Sequence, residues 1–105
     1  MKTKLTDITD VVRSKNAGPY ELTFDIMFQT DEWFRRVADA KVIDQPLISN
    51  LYRIAPEDVL GIVEFAPAKA IKVTIRRPIS SGALGETDVY GAQQHAPLLG
   101  LEFDL

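Results

Sequence analysis

A chain of 105 residues, 46% hydrophobic and 26% charged, has the composition of one small globular domain spanning 1–105. Twelve Lys plus Arg against fifteen Asp plus Glu give a net charge of −3, which argues against nucleic acid as a partner, since phosphate binding needs a basic surface. With no cysteine there is no disulfide framework, thiolate metal site or cysteine nucleophile. No apolar run approaches the roughly 20 residues of a bilayer span and no export signal is expected, so a cytoplasmic location away from the membrane is the default.

The first residues are ambiguous, because Leu5, Ile8, Val11 and Val12 suit either a short helix or an irregular strand. Arg13-Ser14-Lys15-Asn16-Ala17-Gly18-Pro19 follows and reads as a loop. Its two cations, hydroxyl and carboxamide can direct several donors at one anion. The plainer reading is a solvated turn.

Glu21 to Gln29 is the clearest scaffold signal. Leu22, Phe24, Ile26 and Phe28 fall on one face and Glu21, Thr23, Asp25 and Gln29 on the other, with Met27 the exception, which predicts a half-buried strand. Asp25 either points into a site or faces water, and water is the simpler expectation. Thr30-Asp31-Glu32 then supplies an N-cap and two acids for a first turn, and Trp33, Phe34, Val37, Ala38 and Lys41 recur at helical spacing. A second helix is predicted over Gln45 to Tyr52, capped by Asp44 with Pro46 in its first turn.

Val59 to Phe65 and Ala70 to Arg76 read as strands joined closely enough to form an antiparallel hairpin. Leu99, Leu101, Phe103 and Leu105 alternate again and predict a terminal strand returning to the sheet. Together these elements describe an α+β domain, a small antiparallel or mixed sheet with helices packed on one face, for which ferredoxin-like is the nearest description.

The stretch from Ser80 to Pro97 is long for a connection in so small a domain. Its second half carries Asp88, Tyr90, Gln93, Gln94 and His95, groups able to donate, accept or stack. It is either a site or an excursion that is disordered or packed on a partner. An Asp88–His95 pair has the makings of a general base, but no serine is marked as its nucleophile, so no catalytic residue is assigned and the enzyme question stays open. One histidine and no cysteine leave a transition-metal site without ligands, and the scattered glycines Gly82, Gly85 and Gly91 form no dinucleotide fingerprint. No metal and no cofactor are expected.

On Arg13-Ser14-Lys15-Asn16-Ala17-Gly18-Pro19 with Leu22-Thr23-Phe24-Asp25-Ile26, and on Asp88-Val89-Tyr90-Gly91-Ala92-Gln93-Gln94-His95-Ala96-Pro97-Leu98-Leu99, the chain resembles a family of small bacterial proteins described as a domain of unknown function. More distantly, the order of features is similar to the small ferredoxin-like domain of acyclic terpene utilisation A-type proteins. There an Arg-Ser-Gly-Asp-Lys-Gly stretch precedes a strand. Arg13 and Ser14 match that pattern, while Lys15-Asn16-Ala17 replaces its Gly-Asp-Lys run and Tyr90-Gly91-Ala92-Gln93 stands where an Asp-Gly-Lys-like turn is expected. That resemblance implies an accessory subunit for a larger protein in acyl-thioester breakdown.

The resulting expectation is a ligand-positioning module, homo-oligomeric or bound to a larger subunit. Arg13, Ser14, Lys15, Asn16 and Asp25 would share one patch with Asp88, Tyr90, Gln93, Gln94 and His95 around an anionic ligand, a carboxylate or a coenzyme A thioester. The alternatives are a small lyase or isomerase moving a proton with His95 or Asp25, and a purely structural interaction subunit.

Overall fold

The computed structural model describes residues 2–18, 20–76 and 96–105. In chain order these form strand β1 (Lys2–Lys4), a single helical turn α1 (Leu5–Ile8), β2 (Thr9–Gly18), β3 (Glu21–Phe28), helices α2 (Asp31–Ala40) and α3 (Gln45–Tyr52), β4 (Val59–Phe65), β5 (Ala70–Arg76) and β6 (Glu102–Asp104). Short 3-10 turns cover Pro56–Asp58, Ala66–Ala68 and Ala96–Gly100.

The architecture is α+β. Strands β2-β3-β5-β4 make a four-stranded sheet, antiparallel throughout, built from two hairpins separated in sequence by the helical pair. An antiparallel sheet covered by helices on one face is compatible with the ferredoxin-like expectation at the level of its layers. No helix among the described residues is long and apolar enough to cross a membrane.

Register explains which face is covered. Leu22, Phe24 and Ile26 stand opposite Ile75, Val73 and Ile71 across β3–β5, and Ile62 stands opposite Val73 across β4–β5. Because side chains alternate along a strand, these residues share one face. They are joined in the core by Phe34, Val37 and Ala38 of α2, Ile43, and Ile48 of α3. The ring of Phe34 lies 6.3 Å from that of Phe28, and Tyr52 stacks on Phe24 at 4.8 Å.

Both helices begin where the sequence predicts. Thr30 accepts a hydrogen bond from the Trp33 N–H at 3.1 Å, and Asp44 accepts one from the Leu47 N–H at 3.0 Å. Each side chain satisfies an amide that the first helical turn leaves without an intrahelical partner. Thr30→Ala is expected to lower stability by about 1 kcal/mol in urea unfolding, and Thr30→Ser to retain most of it.

Burial raises the pKa of the Tyr52 phenol above its ordinary value. The folded protein therefore keeps its phenolic proton at pH values where the unfolded chain loses it. Stability is unaffected by this group below pH of about 10 and falls as pH rises beyond it. Tyr52→Phe should flatten that alkaline fall when thermal midpoints are compared between pH 8 and 11.

Two expectations are corrected. The terminal strand does not return to the main sheet: β6 pairs with β1 in a separate ribbon, Lys2 opposite Asp104 and Lys4 opposite Glu102. The alternating leucines before it belong partly to a 3-10 turn, whose Leu98 is buried beside Leu5 and Phe103 in the core. The amino-terminal ambiguity resolves into both forms, one helical turn and then a strand.

Arg13–Gly18 departs further from its sequence reading, and Pro19 lies outside the described residues. Residues 13 to 18 are not a loop but the second half of β2, paired residue by residue with β3 from Arg13↔Asp25 to Asn16↔Leu22. The strongly apolar β3 recruits this polar segment as an edge strand. An edge strand needs backbone pairing on one side only and tolerates polar side chains on its exposed face.

Candidate functional site

Strand alternation divides the expected site. Ser14 and Asn16 lie opposite Phe24 and Leu22, on the side of the sheet that the helices cover, and Ser14 is buried there. Arg13 and Lys15 lie on the reverse face, opposite Asp25 and Thr23. The four residues therefore do not form one patch. Asp88, Tyr90, Gln93, Gln94 and His95 lie outside the described residues.

The reverse face is organised in rows across all four strands. Val11, Met27, Ala70 and Phe65 form an apolar row. Arg13, Asp25, Lys72 and Val63 form the next, an ionic row, followed by Lys15, Thr23, Thr74 and Gly61. At the far end, Tyr20, Glu21, Leu60 and Arg76 line a depression of about 430 Å³. A Cβ added at Gly61 meets nothing within 4 Å among the described residues, so the β4 end of the third row has space beside it.

Asp25 is the centre of this face. It was expected to face water, yet it is only 2% exposed. Arg13 Nε donates to its Oδ2 at 3.0 Å, while the arginine side chain remains 54% exposed. Oδ1 is buried with no hydrogen-bond partner among the described residues. An unpaired buried acceptor costs roughly 1–3 kcal/mol, and more when it is charged, so its presence calls for a reason.

Around this carboxylate the chemistry is mostly cationic and hydroxylic. Lys72 stands directly opposite Asp25, but its Nζ lies over the Phe65 ring, 5.4 Å from the centroid. The Thr23 and Thr74 hydroxyls are 3.4 Å apart. Arg76 is drawn aside towards Asp58, at 3.7 Å. The face can thus hold an anion with Lys15, Lys72 and Arg13 and offer hydroxyls for directional bonds.

Lys72, Thr23, Thr74 and Gly61 are members of this site that sequence reasoning left out. The signal was present. Thr23 and Asp25 fall on the polar face of one strand and Lys72 and Thr74 on that of another, and only the pairing register was missing to place them side by side.

A family model described as domain of unknown function, DUF4387, matches residues 5–102. The chain belongs to this family. The match spans every strand of the main sheet and both long helices, so the rows described above lie wholly within the DUF4387 domain. No curated protein and no solved structure matches the chain.

Proposed function

We propose that this DUF4387 protein is a cytoplasmic accessory subunit that binds and positions an anionic ligand, a carboxylate or coenzyme A thioester, on the face of its sheet that no helix among the described residues covers. It would act with a larger protein of the acyclic terpene utilisation type. The observation that carries the reading is the Arg13–Asp25 pair, set in a face where Lys15 and Lys72 supply further positive charge within a chain of net charge −3. Such local concentration of cations against the overall sign attracts anions to one surface.

Lys15 gives the cleaner test, because removing Arg13 also strips Asp25 of its partner. Lys15→Ala should weaken binding of butyryl-coenzyme A and butyrate by about tenfold in calorimetry, the size of a lost charge-assisted hydrogen bond. Its melting temperature should stay close to that of the wild type, as for most surface substitutions. Unchanged affinity would remove the proposal.

A second reading has its own support. Val11, Val63 and Phe65 are exposed on the same face, at 37%, 56% and 44%. A covering subunit, a second copy or the larger partner, would bury them. Size measurement by light scattering, with Phe65→Glu shifting any oligomer towards monomer, separates that role from ligand binding alone.

A further inference from the structure

The pair with Arg13 occupies one oxygen of Asp25 and leaves Oδ1 buried without a hydrogen-bond partner among the described residues. Its neighbours are known from the register: Arg13 on one side, Lys72 on the other, Thr23 and Met27 along its own strand. Lys72 is the natural candidate to complete it, since directly opposed Cβ atoms lie roughly 5 Å apart. Its ammonium instead sits over Phe65.

A carboxylate oxygen only accepts, so whatever completes Oδ1 must carry O–H or N–H. The cations nearby require the opposite, an anion. We propose that the ligand of this face is a small carboxylate bearing a hydroxyl or ammonium group a few bonds from its acid, the donor bonded to Asp25 Oδ1 and the carboxylate held by Lys72 and Lys15. This inference rests on the anion-binding reading above and narrows it to a ligand class. Oδ1 lies below the surface, and it becomes accessible when Lys72 or Met27, both unbranched and flexible, swings aside. A plain acid gains the cations and leaves Oδ1 as it is. A hydroxy or amino acid satisfies both.

The test is an amide NMR titration of the full chain with butyrate, 3-hydroxybutyrate and 3-aminobutyrate. At least one substituted acid should bind about tenfold more tightly than butyrate or better, because a site with an unfilled buried acceptor discriminates strongly for the donor. The largest shifts should fall on Thr23, Asp25 and Lys72. Asp25→Asn should bring the three affinities close together. Equal affinities in the wild type, with butyrate bound, overturn this inference and leave the anion site standing. If none of the three binds, the anion-binding reading falls and takes the inference with it. Should Asp25→Asn fail to fold, Lys72→Met serves: it is expected to weaken all three alike and preserve their ratio. A ratio that collapses in Lys72→Met puts the donor away from Asp25 and overturns the assignment.

Discussion

Phe24→Ala is expected to destabilise the domain by about 3–5 kcal/mol, a large part of the roughly 5–15 kcal/mol that holds a domain of this kind together. Phe24 is fully buried on the central strand β3, faces Val73 across β5 and stacks on Tyr52 of α3. Truncation removes the ring's burial and its stacking partner at once, and packing on two sides limits how far the site can collapse. Phe65→Ala, on the opposite face and 44% exposed, should cost no more than about 1 kcal/mol. Urea unfolding of the two variants tests the face assignment directly. Equal losses would mean that something covers the reverse face of the isolated protein, and the open surface on which the ligand proposal depends would not exist.

That contrast between faces was legible in the sequence for two of the four main strands, β3 and β5. Leu22, Phe24, Ile26 and Phe28 alternate with polar residues, and Ile71, Val73 and Ile75 do the same. Where burial on one side imposes a period of two, composition reveals the strand. Helix starts were legible for a different reason. Thr30 and Asp44 act locally, on amides three residues away, so no tertiary information is needed to find them.

β2 was hidden because its pairing is supplied by a neighbour rather than by its own hydrophobicity. Ser14 and Asn16 face the helical side as polar residues, which erased the alternation that marks β3 and β5. The charges at positions 13 and 15, flanked by uncharged 14 and 16, kept a trace of it. A loop would gather Arg13, Ser14, Lys15 and Asn16 into one cluster, whereas a strand sends alternate members to opposite faces. The terminal strand failed similarly: its spacing identified a strand, but nothing local distinguishes pairing with β1 from pairing with the main sheet. Burial of Asp25 was out of reach for the same reason, since it depends on what the register places beside it.

The Arg13–Asp25 pair should show a coupling of about 1–2 kcal/mol in a double-mutant cycle. A fully buried pair broken on one side costs roughly 3–5 kcal/mol, and a surface pair at most about 1. Here the acid is buried while the arginine is half exposed, so the expected value lies between them. Arg13→Met alone leaves a buried carboxylate with neither oxygen paired and should bear most of the loss, lessened to the extent that Lys72 leaves Phe65 and turns to Asp25. Asp25→Val removes the buried charge and places a β-branched side chain in a central strand, where such residues pack well. With both changes, stability should return to within about 1 kcal/mol of the wild type, because an apolar pair replaces an ionic one with little net cost. Urea midpoints of the four proteins give the answer, and additive losses would show that the 3.0 Å contact carries no coupling. If the double variant folds as well as the wild type yet no longer binds 3-hydroxybutyrate, the acid and its partner are explained by what they bind. That outcome would show that the sheet itself does not need a charge at its centre, where Asp25 Oδ1 has no hydrogen-bond partner among the described residues.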